Sequence, residues 1–365
     1  MRTSKLLPVG LGAALVVVLA ILPLLSIHVP GILPGPTYTP GALQLLALCM
    51  VYSALALSYN LLLGTGGLLS FGHALYFGAG AYGLGILLER TDLSLWPAVG
   101  LTLLVGGAIA VVTGAVSLRV TGIPFAMVTL AFAQAGSVLV RRNPDGLTGG
   151  EEGLSLETEH VPAALVGVVN TRNLYWVALA VVVIAYLVVL WMDRSRVGHL
   201  TAAARENELR VRALGLQPYT AKLVVFVVGG LLASLAGVMY LLLQSGTVPR
   251  AVGADLTITV LVMVVLGGVG SRWGAIVGGV LYTLLNQRLT LVAGSDAVES
   301  LPAVLQVPLS EPMFILGTLF ILVVVFVPGG IAGIATRLTG RRRARTGAAV
   351  LEAADSGAKV LEPQP

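Results

Sequence analysis

The sequence predicts an all-α polytopic membrane protein with about ten transmembrane or partly re-entrant helices. Of the 365 residues, 56% are hydrophobic and only 11% are charged, and the mean hydropathy is +0.93. A soluble domain carries about 25% charged residues, so this chain has too few to cover a globule in water. The single cysteine, Cys49, excludes an intramolecular disulfide scaffold. Composition alone therefore favours a chain that is embedded in a bilayer.

Apolar runs that could cross the hydrocarbon core recur along the chain. The first run has no small-residue cleavage site and many others follow it, so we expect a retained helix and not a signal peptide. Two runs, at 73–88 and 256–269, are shorter than the roughly 20 residues that a crossing helix needs. The predicted spans are 6–27, 42–63, 73–88, 96–118, 124–140, 174–192, 221–243, 256–269, 274–291 and 313–334.

The distribution of basic residues agrees with this map if the N-terminus is cytoplasmic. Sixteen of the 22 lysines and arginines then lie on the cytoplasmic side, as the positive-inside rule requires. This bias accounts for the net charge of +5 and predicts no nucleic-acid partner. The map gives a transmembrane domain at 1–336, with an external loop at 141–173 and a long basic cytoplasmic loop at 193–221. Residues 337–365 are predicted to form a basic, disordered cytoplasmic tail at the lipid surface.

Two glycine-rich breaks adjoin the short runs, at 64–72 and 267–274. They occupy comparable places in the two halves of the chain, and such pairs point to a translocation site. The neutral polar residues near them fit either a weakly polar pathway for a small solute or interhelical hydrogen bonds; Ser58, Asn286 and Gln287 are expected to be buried among them. The pathway candidates are Asn60, Gly67, Ser70, His73, Thr129, Gln134, Gly267, Gly268 and Gly270. The glycines at 78–85 are expected to let helices pack closely.

Several signatures of chemistry are absent from the sequence. No Asp or Glu lies in the middle of a predicted span, which argues against a proton- or sodium-coupled carrier. There is no G-x-x-x-x-G-K-[ST] loop for ATP phosphates, and no set of His, Cys, Asp and Glu has metal-ligand spacing. We therefore expect a transport protein and not an enzyme, with no cofactor or metal in this chain. A passive channel for a small neutral solute and a secondary carrier remain alternatives.

A short charged helix is predicted within the long cytoplasmic loop, at 201–215. Thr201 can cap its N-terminus, and Gly215 suits the left-handed position after its C-terminus. Glu206 and Arg210 have the i,i+4 spacing of an ion pair. The pattern fits either a solvated linker or a helix that docks into a groove of a cytoplasmic partner. Its narrow apolar stripe consists of Leu209, Ala213 and Leu216.

This loop resembles the coupling loop of the branched-chain amino acid permease family of bacterial ABC importers. Further motifs at 58–82, 129–134, 148–154 and 267–278 are similar to those of the family and occur in the same order. The wider ABC signature has a glutamate before paired alanines, whereas three alanines precede the glutamate here. The family's R-E-N-E…A-x-G stretch is formed by Arg205, Glu206, Asn207, Glu208, Ala213 and Gly215, which the resemblance implies as ATPase-coupling residues.

The resemblance implies a permease subunit in a bacterial inner membrane, with both termini in the cytoplasm. In such an importer, an extracytoplasmic binding protein delivers the solute to two homologous permeases. Two cytoplasmic ATPase subunits bind ATP and Mg. This chain is then the member of the permease pair that has an extra N-terminal span. The implied solute is a branched-chain or related amino acid, and relatives that carry urea or short amides keep that alternative open.

Overall fold

A computed structural model describes residues 3–27, 33–293, 312–326 and 329–333. Within these ranges the chain is mostly helical and has only two strands, each of two residues, which confirms the predicted fold class. The predicted tail at 337–365 and part of the last span lie outside the described residues. The helices are α1 Thr3–Ile21, α2 Pro40–Asn60, α3 His73–Arg90, α4 Leu95–Ser117, α5 Ile123–Arg142, α6 Thr171–Arg194, α7 Arg196–Glu206, α8 Glu208–Ala213, α9 Pro218–Gln244, α10 Ala254–Gly267, α11 Arg272–Ala293 and α12 Pro312–Phe326.

Five helical stretches among the described residues are long and apolar enough to cross a membrane. α10 is apolar but has only 14 residues, which at 1.5 Å per residue is about 21 Å and too short to cross. This agrees with the short run predicted at 256–269. The five long stretches are Pro40–Thr65, Leu95–Ser117, Ile123–Arg142, Val168–Arg194 and Pro218–Gln244.

Both predicted glycine breaks interrupt the helices. α2 runs into a π-helical turn at Leu61–Thr65, and the chain then leaves the helix until α3 begins. Gly67 has a φ of +62° and Gly268 a φ of +114°, values that residues with a β-carbon rarely adopt. A helix would continue through either point only if the backbone kept negative φ values. Glycine residues therefore determine where the helices break.

The core is built around α9, which packs against both α2 and α3. α3 and α9 approach so closely at Gly80 that a β-carbon there would collide with the Ser234 carbonyl, and Gly237 meets the Phe77 carbonyl in the same way. The predicted packing role of the glycines in α3 is confirmed at this crossing.

Hydrogen bonds join distant segments of the chain at each end of the helices. At one end, β1 (Leu154–Ser155) pairs antiparallel with β2 (Gly246–Thr247). At the other, the Tyr219 hydroxyl donates to the Ala115 carbonyl at 2.8 Å. The first pair joins two segments predicted to be external, and the second joins the predicted cytoplasmic loop to the cytoplasmic end of the span predicted at 96–118. The packing therefore agrees with the sidedness that the basic residues predict.

α10 begins inside the bundle and not at the end that carries the two strands. Thr257, in its first turn, accepts a hydrogen bond from the backbone N–H of Ala74 at 3.0 Å. Ala74 belongs to the first turn of α3, directly after the first break. α10 therefore covers part of the membrane thickness and ends at the second break.

Candidate functional site

The two glycine breaks, which are about 200 residues apart in sequence, meet in space. The side-chain oxygen of Asn60 accepts a hydrogen bond from the Gly270 backbone N–H at 2.8 Å. A β-carbon on Gly64 would lie 2.7 Å from Gly270 Cα, closer than two carbon atoms can approach without repulsion. Asn60 and Gly270, both predicted as pathway residues, are thus in direct contact.

Asp193, near the end of α6, joins the two breaks through its carboxylate. The Thr65 hydroxyl donates to Oδ1 at 2.7 Å, and Arg272 Nη1 donates to Oδ2 at 3.1 Å. The Asp193 and Arg272 side chains are only 25% and 31% exposed, so the ion pair is partly shielded from water. These contacts form the glycine-break cluster, which consists of Asn60, Gly64, Thr65, Asp193, Gly270 and Arg272.

The cytoplasmic loop forms two short helices, so the prediction of a single helix at 201–215 is wrong. Ser195 and not Thr201 caps α7, since its hydroxyl accepts from the Gly198 N–H at 3.0 Å. Asn207 interrupts the helix with an extended backbone, and its side chain accepts from the Arg210 N–H at 2.9 Å. Asparagine competes with the helical backbone in this way and is favoured at N-caps. We call residues 195–216 the coupling segment.

The predicted end of this segment is confirmed at Gly215. Gly215 has a φ of +78°, and its N–H donates to the Arg212 carbonyl at 2.9 Å. The Leu216 N–H donates to the Val211 carbonyl at 3.4 Å. These two bonds form a Schellman motif, which satisfies the last carbonyls of α8 and turns the chain towards α9.

Glu208 holds the coupling segment against α9. Its carboxylate accepts from Arg212 at 2.7 Å and from Lys222 at 2.5 Å, whereas the predicted Glu206–Arg210 pair is absent from the described contacts. The Lys222 side chain is only 11% exposed. Burial raises the pKa of Glu208, but the hydrogen bonds and charges of Lys222 and Arg212 outweigh that effect and leave the pKa below its ordinary value of 4.5.

Arg205 turns inward from α7 to the first break. Its guanidinium donates to the Gly64 carbonyl, and its aliphatic stem packs on Gly67, where a β-carbon would lie 2.7 Å from the Arg205 Cγ. Gly67, predicted as a pathway residue, makes room for this stem. Arg205 therefore connects the coupling segment to the glycine-break cluster.

The opposite face of the coupling segment carries apolar side chains in contact with solvent. Leu209 is 77% exposed and Leu214 is 73% exposed, and Glu206, Arg210 and Ala213 are exposed beside them. Two exposed leucines at the tip of a charged loop make this face a candidate interaction surface. The outer patch consists of Glu206, Leu209, Arg210, Ala213 and Leu214.

Three other predicted pathway residues lie around the first break. His73 Nε2 and the Ser58 hydroxyl are 2.7 Å apart in the interior. The Ser70 hydroxyl accepts from the Gly72 N–H at 3.2 Å, and Thr129 accepts from the Phe71 N–H at 3.1 Å. The His73–Ser58 contact joins α3 to α2, and the Thr129 bond joins α5 to the first break, so the contacts between elements expected of these two residues are present. The Ser70 bond lies within the break itself.

Gln134 and Gln287 were expected to be buried, and this expectation is wrong. Both are exposed, while Asn286 is half-buried. Thr129 and Ala133 lie on the buried face of α5, which the helical repeat turns away from Gln134. Gln134 is therefore separate from the glycine-break cluster.

Gly267 and Gly268 serve packing next to the second break. A β-carbon on either residue would collide with a backbone carbonyl, that of Gly274 for Gly267 and that of Gly329 for Gly268. The sequence does not predict that Asp193, Arg272 and Lys222 form ion pairs, because charges at cytoplasmic helix ends are typical of solvated positions.

Replacing Glu208 by Gln is expected to loosen the coupling segment, because Lys222 and Arg212 would lose the carboxylate that they share. Breaking a partly buried pair costs about 1–3 kcal/mol. Hydrogen exchange of residues 196–215 should accelerate, whereas Glu206→Gln, on the exposed side, should leave it unchanged. Because the folded-state pKa of Glu208 is lowered, the stabilisation is present above pH 4.5 and is lost as the pH falls through the lowered pKa. Equal exchange in both variants would contradict this role.

Comparison with known proteins identifies the family. A model of the family described as "Branched-chain amino acid transport system / permease component" matches residues 41–335, which is most of the chain. The chain belongs to the branched-chain amino acid permease family. The resemblance predicted from the sequence motifs is thereby confirmed, and the chain is a multi-pass membrane protein of this family.

The relatives of this permease include two named LivM and one named LsrC. It is 29% identical over 271 residues to the high-affinity branched-chain amino acid permease protein LivM of Salmonella typhimurium, covering 68% of this chain and 64% of the relative. It is 24% identical to the probable LivM of Methanocaldococcus jannaschii, covering 77% and 90%. It is 28% identical to the autoinducer 2 import permease LsrC of Escherichia coli, covering 49% of each chain. The likeness to LivM agrees with the resemblance to a branched-chain amino acid permease that the sequence motifs predict.

Proposed function

We propose that this chain is a translocation subunit of an ATP-driven importer for branched-chain or related amino acids. It would act in a bacterial cytoplasmic membrane, with both termini in the cytoplasm. The observation that carries the proposal is the coupling segment, which presents the outer patch on one face and bonds to the glycine-break cluster through Arg205 on the other. A segment built in this way can pass the motion of a docked partner to the membrane helices.

An ATPase subunit is the partner that the outer patch fits. Leu209 and Leu214 offer apolar anchors, and Glu206 and Arg210 offer charges of both signs at the rim. An apolar centre with a polar rim is the usual composition of a protein interface. The Schellman turn at Gly215 and the ion pairs of Glu208 fix the position of the patch, which reduces the entropy lost on docking.

The other subunits of the proposed importer are those that membership of the permease family implies. A second, homologous permease would complete the pathway, and an extracytoplasmic binding protein would deliver the solute. Two ATPase subunits would bind ATP and Mg, while this chain would hold no cofactor and carry out no chemistry. The names of the LivM relatives support a branched-chain amino acid as the solute.

Uptake into vesicles tests the proposal. The complete importer, with its binding protein and both kinds of permease, should accumulate labelled leucine only when the ATPase subunits and ATP are present. Vesicles that lack the ATPase subunits should take up no more leucine than empty vesicles. Equal leucine uptake with and without the ATPase subunits would contradict the proposal and favour a passive channel, and uptake driven by a proton or sodium gradient would favour a carrier.

A further inference from the structure

We infer that Asp193 is a positioning residue that keeps the cytoplasmic end of the pathway closed, and that Arg205 links this closure to the coupling segment. The inference rests on the proposed function, because closure matters only if the chain forms a pathway. It assigns a role to two charged residues, Asp193 and Arg205, whose side chains bond to consecutive residues of the first break, Thr65 and Gly64.

The carboxylate of Asp193 is divided between the two breaks. Among the described residues, Oδ1 accepts from Thr65, in the π-helical turn after α2, and Oδ2 accepts from Arg272, at the start of α11. One side chain thereby ties together helices from the first and second halves of the chain. Loss of its charge would remove the ion pair with Arg272, and a neutral amide would keep one acceptor oxygen where the carboxylate supplies two.

The closure depends on charge as well as on contact. The Asp193–Arg272 pair is partly shielded from water, and shielding strengthens an ion pair relative to one on an open surface. Glycines on both sides complete the closure, since Gly64 packs on Gly270 without intervening side chains. The two backbones can approach this closely only while the two breaks are held in fixed positions relative to each other.

The coupling segment reaches this closure by two routes. α6 ends at Arg194 and α7 begins at Arg196, so Asp193 lies three residues before the start of α7. Arg205, at the other end of α7, bonds to the Gly64 carbonyl. A displacement of α7 would therefore pull on Asp193 and on Gly64 together. This geometry lets a partner that moves the coupling segment open both breaks.

Leakage in the absence of ATP tests this inference. In vesicles that contain the complete importer, Asp193→Asn should raise ATP-independent leucine flux about tenfold, within the range of coupling between protein sites. Arg272→Gln should have the same effect, and the double variant should leak no more than either single variant. Asp193→Glu keeps the charge and should restore most of the closure, which a purely structural role would not require. Glu159→Gln, in the external loop, is the matched control and should not leak.

The outcomes separate the two proposals. If the unchanged importer shows no ATP-driven uptake, the proposed function fails. The closure role of Asp193 fails if the unchanged importer works and Asp193→Asn behaves like the Glu159→Gln control. That outcome would be an equally low ATP-independent leucine flux and an equal dependence of uptake on ATP. Should Asp193→Asn not assemble, Thr65→Val removes a single hydrogen bond to the same carboxylate. It should leak measurably, and a tight Thr65→Val importer would overturn the inference.

Discussion

Replacing Gly64 by alanine is expected to abolish most leucine uptake. The added β-carbon would lie 2.7 Å from Gly270 Cα and 2.9 Å from the side-chain oxygen of Asn60. The Gly270 backbone cannot rotate away as a flexible side chain can, so the two breaks must separate. Overpacking of this kind costs about 1–3 kcal/mol, and here it also removes the alignment of Asn60 with the Gly270 N–H.

The measurement is ATP-driven uptake into vesicles, normalised to the amount of assembled importer. Gly100→Ala is the matched control, since a β-carbon there meets no atom within 4 Å. Alanine is also a better helix former than glycine, so this variant should transport at the original rate. Full uptake by Gly64→Ala would contradict the close contact of the two breaks.

The second large effect is expected at the outer patch. Changing Leu209 and Leu214 to Asp together should prevent the ATPase subunit from binding, because two carboxylates would have to be desolvated in an apolar contact. Uptake should fall at least about a hundredfold, which corresponds to the loss of one or two strong interface anchors. Both side chains are exposed in this chain, so its own packing should be unaffected.

Co-purification of the ATPase subunit with the permease pair is the direct readout. Val168 and Val169, which are exposed in the external loop, supply the control. Their change to Asp adds the same two charges at the other end of the chain and should leave ATPase binding intact. Normal ATPase binding by the Leu209→Asp, Leu214→Asp variant would show that the partner docks elsewhere.

The helices and breaks could be predicted from sequence because they depend on local chemistry. Apolar length locates the spans, and glycine locates the breaks at 64–72 and 267–274. Gly215 was predictable for the same reason, since its role depends on a single φ angle. The division of the coupling segment at Asn207 was missed, although asparagine followed by a glutamate is a known N-terminal pattern.

The ion pairs could not be predicted because they join residues that are distant in sequence. Asp193 and Arg272 are 79 positions apart, and nothing in their neighbouring residues distinguishes them from solvated charges. Glu208 has basic residues at several spacings, and only the packing of α8 on α9 selects Lys222. Gln134 was misplaced because an apolar run does not reveal which face of a helix is buried.

The proposed function depends on the coupling segment being the contact point for a cytoplasmic ATPase. A photo-crosslinking amino acid at position 209, in the complete importer, tests this most directly. If the proposed function is right, a covalent product with the ATPase subunit should form, and it should be absent when the subunit is omitted. A product with the extracytoplasmic binding protein, or with lipid alone while the ATPase is bound, would contradict it.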